Sequence, residues 1–414
     1  MISAARECKM MTDRVSLALR RRAFPRKVAI LYLLAICLSG CAGHLSQQPV
    51  DMSTVCADVS CKDTVKAHLK SAKKKLESDA QIGKCRVINR WNILTSHPAP
   101  LLVVDTRFAG HSTETLRMSA FTVANASHWF FLDDESAGDR AIAALLDWAR
   151  SGAHGRFHAR NDRSSSAAWP SYGLMASVLN SLFLLDDHPS LTADARDEIL
   201  RWVRSLLDRT WIFGDLPDGG AGFGNFEQRV NNHNARRGLI LLYWGLLTND
   251  LQAVGRSSAV IARSLSAFDK YDVPYDANRG DRALRYVNFA LDSIVMHHSF
   301  LQIVGGRFDP RTIRKIDQAA KFLFEEAANP DRIHPYAAAN IGRGGGGYQG
   351  SQDQSWLWER DGGFTWWSYV DTEFFRDHMK DGSEALSRSR TIPAGIEAVK
   401  YSETGGLVTC WFPH

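Results

Sequence analysis

Apolar residues at helical spacing dominate this chain, and clusters of turn-forming residues separate them. The i, i+3, i+4, i+7 pattern recurs over residues 142–149, 199–207, 239–247 and 313–323. Each stretch predicts an amphipathic helix, and the glycine, proline and aspartate clusters between them predict connecting turns. Strict alternation of apolar and polar residues, which is typical of half-buried strands, is scarce. The sequence therefore predicts an all-α chain.

The predicted helices follow one another in pairs, which favours stacked helical hairpins. Such hairpins can close into an (α/α) toroid, or incomplete barrel, with a cleft at the end where the longer loops gather. We expect residues 98–414 to form one domain of this kind. Residues 42–97 are polar at their start and are predicted to be a tether and N-terminal segment, in which residues 63–76 could form a surface helix.

The excess positive charge of the chain lies in its first 41 residues. The whole chain has 50 Lys and Arg against 45 Asp and Glu, a formal net charge of +5. Residues 1–41 hold 8 of the basic and 2 of the acidic residues, so the remaining chain has a net charge of −1. No field of the whole protein that attracts polyanions is therefore expected, although a local basic cleft remains possible, and we predict that the protein binds no nucleic acid. We also expect a monomer.

Residues 1–41 resemble a bacterial lipoprotein signal peptide. Basic residues precede an apolar stretch at 28–38, which is too short for a comfortable membrane span. Leu38-Ser39-Gly40-Cys41 resembles a lipobox, so Cys41 is predicted to be lipidated and to become the mature N-terminus. Ala42 favours the outer membrane, and we expect the protein on its periplasmic side. The alternatives are an ordinary signal peptide or a buried helix with a chance cysteine.

Four cysteines remain after the predicted lipidation site, and the expected compartment is oxidising. Cys56, Cys61, Cys85 and Cys410 allow three connectivities. We predict that Cys56 pairs with Cys61 and that Cys85 pairs with Cys410. None lies in a CxxC pair or beside a spaced histidine pair, so no metal site is expected.

Two polar clusters stand at predicted helix starts. Asn231-Asn232-His233 precedes the stripe that begins at Leu239, where an asparagine can cap the helix. The segment from Pro274 to Tyr286 runs from a turn into a helix, and Arg279 and Tyr286 are two helical turns apart. Taken alone, these residues also suit a helix cap, a structural histidine, an arginine at a helix end and a core tyrosine.

At these residues the sequence resembles the poly(mannuronate) alginate lyases of the alginate lyase superfamily. That family shows Asn-Asn-His opening a helix, a Pro-x-acidic-x-x-Arg turn, and then Arg-Ala-Leu-x-Tyr-x-Asn-aromatic-Ala-Leu. This chain has Asn231-Asn232-His233, Pro274 to Arg279 with Asp276 as the acidic residue, and Arg282 to Leu291. The segment 145–152 is also similar, and the resemblance covers roughly residues 101–305.

The chain departs from this pattern at a few positions. Asn234, Ala235 and Arg236 stand where the family usually has an aromatic pair after its histidine. Asp276 replaces the commoner glutamate. Arg107-Phe108-Ala109-Gly110 matches only part of the family's basic-aromatic-acidic-Gly lid loop. These positions are expected to affect the preferred sugar more than the reaction.

The resemblance implies an (α/α) toroid enzyme that cleaves a β-1,4-linked polyuronate by β-elimination, with alginate, especially polymannuronate, as the leading substrate. Asn232 and Arg279 would neutralise the uronate carboxylate, which favours the enolate-like transition state. Tyr286 and His233 would act as acid and base, in a division that the sequence leaves open. The resemblance adds no cofactor and no metal, and its substrate contacts are Arg107, Phe108, Trp148 and Arg282.

Two other functions remain open from the sequence. A glycoside hydrolase on the same toroid would need a pair of carboxylates, for which Asp215, Asp218 and Glu227 are the candidates. A lipoprotein that binds exopolysaccharide without cleaving it would not need the Tyr286 hydroxyl.

Overall fold

The computed structural model describes residues 49–78, 109–155, 165–210, 231–271, 273–278 and 280–333, together with Gln354. Within these ranges the chain is helical, and the β-contact found there is an isolated bridge between Val50 and Phe308. The α-helices of the described ranges are α1 (Cys61–Ser78), α2 (Ala109–Leu132), α3 (Glu135–Arg150), α4 (Ser165–Leu184), α5 (Ala193–Arg209), α6 (Asn232–Thr248), α7 (Leu251–Ser264), α8 (Phe268–Tyr271), α9 (Ala283–Ile303) and α10 (Pro310–Ala328). Short 3-10 turns occur at Leu265–Ala267, Tyr275–Asn278, Gly280–Arg282 and Pro330–Ile333.

The helices fall into two sets that differ in how much of their surface is buried. In α6, 14 of 17 residues are buried, whereas in α5 only 6 of 17 are. A helix buried nearly all round lies inside the protein, and one with a single apolar stripe lies on its surface. Side-chain caps begin several of these helices, at Asp134, Thr192, Asn231, Asp250 and Asp309.

The packing of the helices alternates between an inner and an outer layer. The inner helices contact one another in the order α2, α4, α6, α9. Each packs against the outer helix that follows it in the chain, which gives the hairpins α2–α3, α4–α5, α6–α7 and α9–α10. This arrangement is an (α/α) toroid, and the fold predicted from the helical stripes is confirmed.

The inner helices run in the same direction, so their starts lie together. Thr115 near the start of α2 and Ser171 near the start of α4 both hydrogen-bond to His154, at 3.0 and 2.8 Å. Tyr172 of α4 packs its ring edge-on against His233 of α6, with centroids 6.3 Å apart. We call the end of the toroid where α2, α4, α6 and α9 begin the N-terminal face, and the opposite end the C-terminal face.

Helix α1 lies across the C-terminal face. Before α1 begins, the Cys56 N–H donates to Val304 O after α9 at 2.9 Å. In α1, the Lys62 N–H donates to Asn249 Oδ1 at the end of α6 at 3.3 Å. Lys66 Nζ donates to Asp186 after α4 at 3.0 Å, and Lys73 Nζ donates to Asp133 after α2 at 2.6 Å. The two lysine cations are favourable here because helix C-termini carry partial negative charge.

The tether predicted for residues 42–97 is therefore wrong for its middle part. Val65, Leu69 and Leu76 of α1 are at most 5% exposed and belong to the hydrophobic core. The helix predicted at 63–76 is present as α1, and its apolar face packs against the inner helices α4, α6 and α9. The boundary expected between residues 97 and 98 lies outside the described residues.

The disulfide predicted between Cys56 and Cys61 is present, with Cα atoms 5.1 Å apart. It closes a short loop just before α1, on the C-terminal face. The predicted pair Cys85–Cys410 and the predicted lipidation site Cys41 lie outside the described residues. None of the helices in the described ranges is long and apolar enough to cross a membrane.

Candidate active site

The polar residues at the start of α6 do not all cap the helix. Asn231 is the N-cap, with extended backbone, and its side chain accepts a hydrogen bond from the Asn234 N–H at 3.1 Å. The capping explanation of the Asn-Asn-His triplet therefore applies to Asn231. Asn232 and His233 follow the cap and are not explained by capping.

Asn232 is buried, and its backbone is held by a hydrogen bond, while its side chain has no partner among the residues that the structure describes. It is 1% exposed, and its N–H donates to Asp276 Oδ2 at 2.7 Å. Both polar atoms of its side-chain amide are buried and have no hydrogen-bond partner among the described residues. A buried polar group without a partner costs about 1–3 kcal/mol, so such a group favours a ligand-binding role.

Asp276 joins the Pro274 turn to α6. It lies in the 3-10 turn Tyr275–Asn278 and is 1% exposed. A carboxylate suits this position because it accepts the free N–H at the start of a helix, where negative charge is favourable. The acidic residue of the sequence motif is thus placed to orient Asn232.

His233 is half-buried beside a tyrosine of the neighbouring inner helix. Its ring lies edge-on to Tyr172, at 6.3 Å between centroids. Burial raises the pKa of Tyr172, and the positive charges of Arg237 and Arg236 act in the opposite direction. Burial lowers the pKa of Arg237. His233 therefore faces a neutral phenol with guanidinium groups nearby.

The start of α9 is held by a side chain from far along the chain. Gln354, which is 1% exposed, accepts from Leu284 N–H at 3.0 Å and donates to Gly280 O at 3.1 Å. These bonds satisfy a free N–H of the first helical turn and fix the preceding turn. Gln354 was not predicted as a site residue, because nothing in its local sequence marks a residue that caps a helix 70 positions away.

The first turns of α6 and α9 meet at Phe289. The Arg236 guanidinium of α6 lies over its ring at 5.9 Å, and the Arg285 guanidinium lies over it at 5.1 Å. The ring of Tyr286 lies edge-on to Phe289, with centroids 6.2 Å apart. Tyr286 and Arg285 are half-buried, so the structure places them at the border between core and solvent.

This end of the toroid favours anions. Helices α6 and α9 both present their N-termini here, where the helix dipole carries partial positive charge. Arg236, Arg237, Arg282 and Arg285 add guanidinium groups within the first turns of the same two helices. The arrangement can bind a carboxylate next to a histidine and a tyrosine that can exchange protons.

Of the predicted catalytic residues, the structure brings Asn232 and His233 of α6 to the face that also carries Tyr286 of α9. Arg279 lies outside the described residues, as do Arg107 and Phe108. Arg282 is half-buried at the position before α9.

Trp148 is 1% exposed in the hydrophobic core, with its ring 6.0 Å from His154. That burial favours a packing role, and the predicted substrate contacts stay predictions. Among the described residues, no group of three His, Cys, Asp or Glu side chains is arranged to hold a metal ion.

Comparison with known proteins identifies the family. The family model described as alginate lyase matches residues 60–333, more than half of the chain. This chain belongs to the alginate lyase family. The match begins one residue before α1 and ends with the 3-10 turn Pro330–Ile333, so it spans all four hairpins described above.

Individual members and solved structures agree with this assignment. A protein named polysaccharide lyase from Stenotrophomonas maltophilia is 25% identical over 153 residues, which is 37% of this chain and 44% of that relative's length. Alginate lyase A1-III from Sphingomonas species A1 has the same fold, with a TM-score of 0.55 and 16% identity over 77% of this chain and 86% of that one. A tyrosine-to-phenylalanine variant of alginate lyase A1-III, complexed with a tetrasaccharide, aligns with a TM-score of 0.56 and 14% identity over 75% of this chain and 87% of that one.

Proposed function

We propose that this protein is a polysaccharide lyase that cleaves a β-1,4-linked polyuronate by β-elimination at the N-terminal face of its toroid. The observation that carries the proposal is the buried amide of Asn232, which has no hydrogen-bond partner among the described residues and adjoins His233. Membership in the alginate lyase family and the resemblance of the Pro274–Leu291 segment support the same reaction.

A uronate lyase must first make the C5 proton of the sugar acidic. That proton lies beside an ionised carboxylate, so its removal adds negative charge next to negative charge. An amide donor and a cation held against the carboxylate favour this transition state. The Asn232 side-chain N–H would donate to the carboxylate, and Arg279 would bind it in a bidentate manner.

The reaction then needs one group to take the C5 proton and one to protonate the leaving O4 oxygen. His233 and Tyr286 are the two half-buried groups of suitable chemistry on this face. Tyr286 would protonate the leaving oxygen and could also take the C5 proton. His233 would then stabilise the carboxylate, or act as the base for the opposite C5 epimer.

Alginate, and polymannuronate in particular, is the substrate that we propose. A solved relative that shares the fold is an alginate lyase complexed with a tetrasaccharide. The positive charge of Arg236, Arg237, Arg282 and Arg285 suits a chain with one carboxylate on every sugar.

The proposal is tested by incubating the protein with a panel of polyuronates and following ultraviolet absorbance. A lyase leaves a C4–C5 double bond in the new non-reducing end, and this product absorbs. We expect absorbance to rise fastest with polymannuronate. New reducing ends without absorbance would indicate a hydrolase, and binding without new ends would indicate a carbohydrate-binding protein.

We also propose that the protein is a lipoprotein on the periplasmic side of the outer membrane, attached through Cys41. The support is the sequence Leu38-Ser39-Gly40-Cys41. A Cys41→Ser variant should leave the membrane fraction or remain unprocessed. Normal cleavage of that variant followed by membrane fractionation would contradict the proposal.

A further inference from the structure

The helices that carry the proposed catalytic residues touch through one aromatic side chain near their starts. Phe289 lies three residues after Tyr286 and four after Arg285, so all three lie on neighbouring positions of one face of α9. Arg236 lies four residues after Asn232, so these two share a face of α6. The Arg236 guanidinium and the Phe289 ring form a contact between these two faces.

The geometry at Phe289 links both helices to Tyr286. The Arg236 and Arg285 guanidinium carbons lie over the Phe289 ring at 5.9 and 5.1 Å, within the range of cation–π attraction. The Tyr286 ring lies edge-on to the same ring at 6.2 Å, the favoured geometry of an aromatic pair. The Phe289 ring therefore attracts one guanidinium from each of the two helices.

We propose that Phe289 is a positioning residue, which sets the location of the Tyr286 ring on α9 relative to Asn232 and His233 on α6. This inference rests on the proposed lyase reaction for its effect on turnover. Phe289 itself is 6% exposed, so it acts through Tyr286 and not by touching substrate.

The expected effect follows from how strongly proton transfer depends on distance. A displacement of about 1 Å at a reacting group can lower the rate by about 10²-fold. An aliphatic side chain at position 289 keeps an apolar contact but loses the ring quadrupole that attracts both guanidinium groups. Arg236 and Arg285 would then separate, and the Tyr286 ring would lose its edge-on neighbour.

The test compares Phe289→Leu with Phe289→Tyr and with a matched control on the same helix. Phe300→Leu makes the same change at a fully buried phenylalanine near the other end of α9, where the ring packs on Tyr243 at 5.0 Å. We expect Phe289→Leu to lower kcat about 10- to 100-fold with KM changed by less than about twofold. Phe300→Leu should lower the melting temperature at least as much while keeping kcat, and Phe289→Tyr should recover most of the lost turnover.

A crystal structure of each variant gives a readout that does not depend on activity. We expect the Tyr286 ring to be displaced in Phe289→Leu and unchanged in Phe289→Tyr. If Phe289→Leu does not fold, Phe289→Met makes the same test with a longer and more flexible side chain that adapts better to the space. An unmoved Tyr286 ring, or equal loss of kcat in Phe289→Leu and Phe289→Tyr, overturns the inference. If the wild-type protein produces no unsaturated product, the proposed function fails, and the position of Tyr286 in the variants still decides the role of Phe289.

Discussion

One buried polar group on each face of the toroid shows a contrast between the two ends. On the C-terminal face, the Asp186 side chain is nearly buried and forms ion pairs with Lys62, Lys66 and Arg196. On the N-terminal face, the Asn232 amide is buried without a partner among the described residues. Asp186 follows the inner helix α4 and Asn232 begins the inner helix α6, so each group lies at the end of an inner helix and differs in the residues around it.

The physical consequence is a division between stability and function. At the C-terminal face, the attraction between paired charges compensates the cost of removing them from water. Helix α1 and the Cys56–Cys61 loop cover that end of the toroid. An unpaired amide at the N-terminal face lowers stability unless a ligand binds it. We infer that substitutions at the C-terminal face change folding, whereas substitutions at the N-terminal face change turnover.

The largest expected effect is on turnover at the N-terminal face. Replacing Tyr286 with phenylalanine removes one hydroxyl and keeps the ring that packs on Phe289. Turnover should fall by about 10²–10⁴-fold, which is the usual contribution of one general acid or base. The melting temperature should change little. Steady-state kinetics and thermal unfolding measure the two quantities, and a folded Tyr286→Phe protein with wild-type turnover would end the proposed mechanism.

The next effect is on stability at the C-terminal face. Replacing Asp186 with alanine leaves Lys62, Lys66 and Arg196 close together without their shared carboxylate. We expect the free energy of unfolding to fall by about 3 kcal/mol, with kcat of the folded protein unchanged. Denaturant titration measures the change.

A surface ion pair provides the control for Asp186. Asp208 pairs with Arg204 one turn away on α5, and both side chains are about half exposed. Asp208→Ala should cost less than about 0.5 kcal/mol. Equal losses for the two variants would show that the charges at the C-terminal face are no more than solvated surface pairs.

A third effect, smaller for each residue, concerns the two buried histidines of α9 and depends on pH. His297 and His298 lie deep in α9, and burial lowers the pKa of His297 to about 3 and that of His298 to about 4. In the unfolded chain a histidine has a pKa of about 6.5, so below that pH the unfolded state binds protons that the folded state does not. Stability should therefore fall as the pH drops from 7 towards 4, by about 2 kcal/mol for each imidazole at pH 5.

The double variant His297→Gln, His298→Gln provides the comparison. It should be less stable at pH 7, because His297 Nε2 bonds to Ser257 Oγ at 2.9 Å. Its free energy of unfolding should nevertheless vary less between pH 7 and 5 than that of the wild type. Parallel pH profiles for the two proteins would show that these imidazoles do not stay neutral in the folded state.

Much of the fold followed from residue spacing alone. The stripes at 142–149, 199–207, 239–247 and 313–323 lie in α3, α5, α6 and α10, because a helix with one apolar face has a period that sequence shows directly. The role of α1 did not follow. The sequence predicted a tether with a surface helix there, and only the packed structure shows that Lys66 and Lys73 reach aspartates after α4 and α2.

The site was predictable where local sequence carries the signal. Asn232 and His233 stand at a helix start, and the turn with Asp276 precedes the next inner helix. Tyr172 and Gln354 were missed because they reach the site from distant segments, and their own neighbourhoods have no motif. Contacts between residues far apart in the chain are set by helix packing, which periodicity does not reveal.

The most direct measurement compares Asn232→Leu with Asn125→Leu. Both asparagines are buried on inner helices, but Asn125 donates to Phe121 O at 2.9 Å and accepts from Arg140 Nε at 3.0 Å. Asn125→Leu should lose about 1–3 kcal/mol of stability and keep its kcat. Asn232→Leu should keep or gain stability, since no described partner is lost, while its lyase turnover falls about 10²–10³-fold. Wild-type turnover in Asn232→Leu, or a loss of stability equal to that of Asn125→Leu, would contradict the assignment of the N-terminal face to function.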